Sequence, residues 1–285
     1  MAADLEILLT NDDGIDAPGI RALATALADV GSVTVVAPRD NQSAVGRSLS
    51  YGRTAAETTD EALQATFEDG SFTSPVPHTD HELGYAVDGT PCDCAIVGVN
   101  ALDPEPDLVV SGCNAGANLG AYVFSRSGTV SAAMEAAFLG TPAIAISMDT
   151  LGLPDPIEPA DFDRAARLTA DLVRSVATSD PFQRVDYLNV NVPRPDRELA
   201  GVAITRPTEV YEMDAVYENG RFSLTNELWQ QMANRDIPDP PDTARYALLD
   251  HQVSISPMAI PYDPVDRDGV AATIENALDD VADGR

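Results

Sequence analysis

Short apolar runs alternate with amphipathic stretches through the first two-thirds of the chain, the pattern of a parallel sheet covered by helices. Leu5 to Thr10 reads as a buried strand, and Pro18 opens a helix to about Val30, with Gly31 as its stop. Val33 to Ala37 is the next strand, closed by Pro38. The rhythm is lost from about Tyr51 to Leu83, which reads as an irregular excursion or hairpin. It resumes with a short helix at Pro91 to Asn100 and a strand at Asp107 to Ser111. A Gly-rich stretch, Gly112 to Gly120, follows that strand. A helix is expected over Gly128 to Leu139, a strand at Ala143 to Ser147, a helix near Phe162 to Ala177 and a strand at Tyr187 to Val192. Beyond Pro207 the pattern changes. Tyr211 to Leu224 predicts a hairpin turning at Asn219-Gly220, Ile237 to Asp242 a loop, Val253 to Ser256 a strand, and Asp266 to Val281 a terminal helix. The expectation is an α/β, Rossmann-like, mostly parallel sheet over residues 1–206, with a C-terminal β-hairpin and helix arm over residues 207–285 that packs on the core or on another subunit.

Composition alters this picture chiefly through charge. At 285 residues and 44% hydrophobic, the chain has ample material for a core. Forty-six acidic residues face 17 basic ones, a net charge of −29, and all 17 are Arg. Such a surface repels nucleic-acid polymers and anionic lipid. It also fits a halophilic source, where concentrated salt screens the self-repulsion. Without Lys there can be no Walker A loop and no Schiff-base chemistry. Three cysteines, Cys92, Cys94 and Cys113, cannot all pair, and no Cys/His cluster completes a zinc site. No basic start followed by an apolar run opens the chain, and no stretch of about 18 apolar residues occurs. A cytoplasmic protein with free thiols is expected.

In open parallel sheets, ligands bind outside the carboxyl ends of the strands. Three polar segments fall at such ends: Asn11-Asp12-Asp13-Gly14, Asn41-Gln42-Ser43 and Ser111-Gly112-Cys113-Asn114. Asp12, Asp13, Ser43 and Asn114 together offer two carboxylates, a hydroxyl and an amide, the hard oxygen donors that suit Mg²⁺ or Mn²⁺. An Asp-Asp-Gly sequence alone is more often a turn; the convergence of three segments is what points to a site. Ser127, Gly128 and Thr129 precede a helix and could cradle a phosphate or serve as an ordinary N-cap. Gly112, Gly116 and Gly120 do not form a dinucleotide fingerprint. His78 and His81 read as surface residues. His251 could be a general acid for the leaving oxygen or a structural residue.

These motifs resemble the survival protein E (SurE) family of 5′/3′-nucleotidases. The opening signature runs from Leu8 to Ile20 and contains Asn11-Asp12-Asp13-Gly14 and Ala17-Pro18-Gly19. Further matching segments are Val36 to Ser43, Asp88 to Cys94, Pro106 to Asn114, Ser127 to Val130 with Pro142 to Ala145, and Leu188 to Pro193; His251 to Pro257 resembles the family's last strand. The resemblance implies a swapped C-terminal arm in a homodimer or homotetramer. It also implies one divalent metal ion per subunit, Mg²⁺ or Mn²⁺, held by Asp12, Asp13, Ser43 and Asn114. The implied reaction is hydrolysis of nucleoside 5′- and 3′-monophosphates. On the residues themselves, Asp12, Asp13, Asn114 and His251 are the candidates for the chemistry, and Asn11, Ser127, Gly128 and Thr129 for the substrate phosphate. One segment departs from the family: Ala121 to Arg126 lacks the acid usual there and is one residue longer. Two rivals remain open on the residues. A haloacid-dehalogenase-type phosphatase wants Asp-x-Asp and a downstream Lys, which this chain lacks, and a non-catalytic nucleotide or metal sensor would keep the crevice without turnover.

Overall fold

The computed structural model describes residues 5–51, 66–68, 71–179 and 181–260. The first strand, β1 (Leu5–Thr10), is a run of apolar side chains that becomes fully buried toward its carboxyl end. Helix α1 (Pro18–Leu27) starts with Pro in its first turn and turns Ile20, Leu23 and Leu27 into the core. It ends at Leu27, three residues short of the expected Val30. The chain then enters β2 (Gly31–Pro38), which pairs in parallel with β1. Thr66–Glu68 (β3) and Ser71–Thr73 (β4) form a small antiparallel ladder inside the stretch expected to be an irregular excursion or hairpin. His78–His81 (β5) and Gly84–Val87 (β6) follow, and β6 joins β2 in parallel.

Helix α2 (Pro91–Asn100) is started by a capping box between Thr90 and Asp93. It leads into β7 (Leu108–Ala115), buried through Cys113. After it come a short helix α3 (Ala121–Phe124), helix α4 (Gly128–Phe138) and the fully buried strand β8 (Ala143–Met148). The amphipathic helix α5 (Asp163–Ser179) precedes the buried strand β9 (Tyr187–Val192). Gly201–Ile204 forms β10, and Met213–Glu218 (β11) with Arg221–Asn226 (β12) forms the expected hairpin. Its turn residues Asn219 and Gly220 both have positive φ, as a two-residue type I′ turn requires. Helices α6 (Leu228–Asn234) and α7 (Ala244–Leu249) lead to β13 (Gln252–Met258). The helix expected at Asp266 to Val281 lies outside the described residues.

Nine strands form one sheet in the order β10-β13-β9-β8-β7-β1-β2-β6-β5. The six from β9 to β6 are mutually parallel, with antiparallel strands added at both sides. The fold is thus the α/β, mostly parallel sheet that the apolar pattern predicts. One core lies between the sheet and α1 with α5, built on Ile7, Leu23, Ile146 and Phe162. The other lies under α2 and α4, built on Leu8, Val109, Val130 and Tyr187. The segment beyond residue 206 contributes β13 to this sheet, inserted between β9 and β10. A smaller cluster of Leu119, Leu228, Met232, Ala244 and Leu248 fastens α6 and α7 to the Gly-rich loop.

Candidate active site

The carboxyl ends of β1, β2 and β7 are neighbours, so the polar segments that follow them meet along one edge of the sheet. After β1 the chain turns sharply at Gly14, whose φ of +101° an L side chain rarely adopts. Asn11 holds this turn by donating from Nδ2 to the Gly14 carbonyl at 2.8 Å. Its Oδ1 is buried without a hydrogen-bond partner. Asp12 is 3% exposed. Its Oδ1 accepts from the Thr129 hydroxyl at 2.5 Å, across 117 positions of sequence. Asp13 Oδ2 accepts from the Ala115 amide at 3.0 Å, which ties the acidic turn to the end of β7.

The amino end of α4 abuts Asp12. A Cβ on Gly128 would stand 2.6 Å from Asp12 Cβ, so only glycine allows this approach. Burial raises the Asp12 carboxyl above its ordinary range, while hydrogen bonds from the Thr129 side chain and the Thr129, Asp12 and Gly128 backbone oppose that rise. The helix end thus supports a carboxylate of the chain itself. Ser127 is the N-cap: its Oγ accepts from the Val130 amide at 3.2 Å. The hydroxyls of Ser127 and Thr129 therefore have protein partners, and the capping alternative describes Ser127 in this structure.

The Asn41–Gly46 segment closes a second side. The Gln42 amide donates to the Asp12 carbonyl at 2.7 Å, and the Ser43 amide to Asn41 Oδ1 at 2.8 Å. Ser43 is exposed and follows directly on the residue bonded to Asp12. The Gly46 amide donates to the Arg126 carbonyl at 3.0 Å. On the third side, β7 carries a register irregularity between Ser111 and Asn114, which re-aims the residues after it. Asn114 donates from Nδ2 to the Gly116 carbonyl at 2.5 Å, so its amide oxygen remains as an acceptor. Beyond it, the Asn118 amide donates to Asn191 Oδ1 at 2.7 Å, and the Asn118 carbonyl accepts from both Asn189 and Asn191. These buried amides fasten the Gly-rich loop to β9.

Asp13 is pushed up to about 6 by burial and by the adjacent Asp12 charge, against the Ala115 amide. No described cationic side chain offsets either carboxylate. Among the described residues, no three His, Cys, Asp or Glu side chains cluster as metal ligands. The acidic pair must draw its companions from hydroxyl and amide oxygens. A buried and a half-buried carboxylate short of positive charge, with such oxygens nearby, fit a hard divalent cation.

The structure brings together Asn11, Asp12, Asp13, Ser43, Asn114, Ser127, Gly128 and Thr129. It does not bring in His251. That residue sits in the turn between α7 and β13 with a φ of +59°, its amide bonded to the Leu248 carbonyl. From β13 to β7 is three strand spacings, about 14 Å, and β1 lies one spacing further. Along the sheet, His251 therefore lies apart from the acidic pair within one chain. His81 is half-buried beside Asp16 at 3.3 Å, not the free surface residue expected. Sequence reasoning missed the Ala115 amide and Gly46. A backbone donor carries no residue signature, while Gly46, with a φ of +59°, is marked only by being a glycine in a polar loop.

Residues 7–213 match the family model described as Survival protein SurE. A protein named 5′-nucleotidase SurE from Halobacterium salinarum is 49% identical over 92% of this chain and 93% of its own length. Another of that name from Haloquadratum walsbyi is 43% identical over 99% of this chain and 100% of its own. These organisms agree with the salt-adapted composition. The crystal structure of the SurE protein from Aquifex aeolicus superposes with a TM-score of 0.73 at 31% identity, covering 95% of this chain and 99% of that one. With three quite different relatives aligned along nearly its whole length, the chain belongs to the survival protein SurE family.

Proposed function

We propose that the chain is a divalent-metal-dependent phosphatase that hydrolyses nucleoside 5′-monophosphates, and 3′-monophosphates as well, to nucleoside and phosphate. The observation that carries this reading is the Asp12–Asp13 pair, Asp12 buried and Asp13 half-buried, held at the carboxyl edge of the sheet by Thr129 and the Ala115 amide with no cationic side chain among the described residues to neutralise it. The names of the relatives, 5′-nucleotidase SurE, support the substrate class.

Asp12, Asp13, Ser43 and Asn114 would hold one Mg²⁺ or Mn²⁺ ion. When bound, such an ion supplies Lewis acidity toward a phosphoryl oxygen and lowers the pKa of water beside it. Asp12, bound by Thr129 and the first amides of α4, is the fixed member of the pair. Asp13 has one oxygen fixed by Ala115 and is the freer carboxylate. It accepts the proton of the attacking water, and its raised pKa brings its basicity closer to neutral pH than an ordinary Asp. Asn114 presents its amide to the phosphate, and the amino end of α4 stabilises the negative charge gathered there. Water or solvent protonates the leaving oxygen, since His251 is remote.

Assembly into dimers or tetramers through the C-terminal arm accords with exposed apolar side chains on edge strand β10 (Val202, Ile204) and on the hairpin (Tyr217, Phe222, Leu224). Among the described residues no helix is long and apolar enough to cross a membrane, and the charge disfavours nucleic-acid polymers. A cytoplasmic enzyme acting on small anions is the reading that accords with both. The test is phosphate release from p-nitrophenyl phosphate and from nucleoside 5′- and 3′-monophosphates, with Mg²⁺, Mn²⁺ or chelator, at molar and at low salt. Metal-dependent release from the nucleotides is expected. Nucleotide binding with no turnover in any condition would overturn the reading in favour of a sensor.

A further inference from the structure

The loop that departs from the family pattern ends at Arg126, one residue before the cap of α4. Its carbonyl accepts from Gly46, so its backbone is pinned between the Ser43 segment and the helix that supports Asp12. The side chain reaches Tyr211. Its guanidinium lies 5.4 Å from the centre of the Tyr211 ring, and Nη2 donates to the Tyr211 hydroxyl at 3.0 Å. In a chain of net charge −29, Arg21, Arg39, Arg47 and Arg206 each pair with a carboxylate. Arg126 is instead spent on an aromatic ring.

This pair stands on a rigid base. The Tyr211 ring packs on Tyr122 at 4.6 Å. The Tyr122 hydroxyl accepts from Arg245 Nη2 at 3.3 Å, and so does the Val210 carbonyl at 3.4 Å. Arg245 is itself buried, with its side chain 1% exposed and bonded to Asp239 at 2.8 Å. The chain around Tyr211 is stitched to the loop by Thr208, which exchanges backbone hydrogen bonds with Leu119 and Ala121. A cleft of about 620 Å³ opens against Arg126 and Tyr211, with Met213, Asp214, Ala215 and Leu224 as its other walls. Its size suits a small organic ligand. Tyr211 is 47% exposed, so part of its ring remains available there.

We infer that Arg126 and Tyr211 form the platform that receives the nucleobase of the substrate, making them specificity-determining residues. The inference rests on the proposed hydrolysis at Asp12 and Asp13 and goes beyond it. A phosphate at those carboxylates needs its organic portion to lie in an adjoining cleft. The cleft beside Arg126 offers a planar cation stacked on an aromatic ring. Flat π-systems bind to such surfaces whatever their hydrogen-bonding pattern, so purines and pyrimidines would both be accepted. The Arg126 guanidinium, which has no carboxylate partner among the described residues, also draws an anionic substrate toward an otherwise repulsive surface.

The test compares adenosine 5′-monophosphate with glycerol phosphate, a monoester with no ring, in Arg126→Ala, Arg126→Lys and Tyr211→Leu, each shown folded by circular dichroism. The ratio of kcat/KM for the nucleotide to that for glycerol phosphate should fall about 10-fold in Arg126→Ala and Tyr211→Leu, through KM. Arg126→Lys keeps the charge but loses the plane, and should show most of that fall. Equal losses on both substrates, or an unchanged ratio, would overturn the inference. Calorimetric titration with adenosine reports on the platform without turnover: weaker binding in Tyr211→Leu than in the unmodified protein supports it, and equal or absent binding in both overturns it. An unmodified protein that binds adenosine through Tyr211 yet hydrolyses neither ester would sink the proposed reaction and leave the platform standing.

Discussion

Asp12 and Asp13 are adjacent in the chain yet live in different surroundings. Asp12 is enclosed by the amino end of α4 and bonded to Thr129, whereas Asp13 keeps a single backbone donor. The pH behaviour of Asp13 follows. Its folded-state pKa, about 6, lies above the ordinary 3.8, so between those values the metal-free folded protein holds a proton that the unfolded chain releases. Folding stability from this group is therefore greatest below pH 3.8 and declines as pH rises through 6. A divalent cation that takes the ionised carboxylate competes with that proton. The rise in Tm on adding Mn²⁺ should be clearly larger at pH 7.5 than at pH 5, read by differential scanning fluorimetry; an equal rise at both would contradict the assignment of Asp13 as a ligand. At this scale the residue types were legible in the sequence only together: Asp-Asp-Gly alone reads as a turn, and three polar segments at neighbouring strand ends make it a candidate site. Their partners were not. The Thr129–Asp12 bond joins residues 117 positions apart, and the Ala115 amide has no side-chain signature.

Among the elements, the segment from Thr205 to Leu249 has the least apparent purpose in the sequence and a definite one in the structure. It runs beside the Gly-rich loop and anchors it through Thr208 and through the buried Arg245–Asp239 pair. Breaking such a pair by removing one partner leaves an uncompensated buried charge. Asp239→Ala should cost about 3–5 kcal/mol, measured by denaturant unfolding. Replacing both partners by apolar residues should recover much of that loss, and a single variant as stable as the parent would show that the pair contributes little. The alternation of strands and helices over residues 5–38 and 91–192 could largely be read from apolar periodicity, since each element buries a face set by its own local pattern. The insertion of β13 between β9 and β10 could not. Its apolar residues mark it as a strand, but its neighbour and direction are decided by packing more than 50 residues away. The same non-local order sets His251, open in the sequence to a general-acid or a structural role, apart from the acids along the sheet.

For the whole molecule, charge is the governing quantity. A net −29 spread over a chain with no Lys destabilises the compact state at low ionic strength through self-repulsion. At molar salt the Debye length shrinks to about 3 Å and that penalty is screened. The Tm should therefore rise steeply between 0.1 M and 2 M KCl, and a flat or falling profile would refute the salt-adapted reading. The same field bears on the proposed reaction, since an anionic substrate must approach an anionic surface, and a divalent cation at the acidic pair together with the Arg126 guanidinium would ease that approach. The central claim, that Asp12 and Asp13 hold the cation on which nucleotide hydrolysis depends, is tested most directly by Asp13→Asn, which changes one oxygen to an amide with little change of shape. Assayed with Mn²⁺ and nucleoside 5′-monophosphate at molar salt, the variant should fold as the parent does and lose nearly all phosphate release; parental turnover would contradict the account.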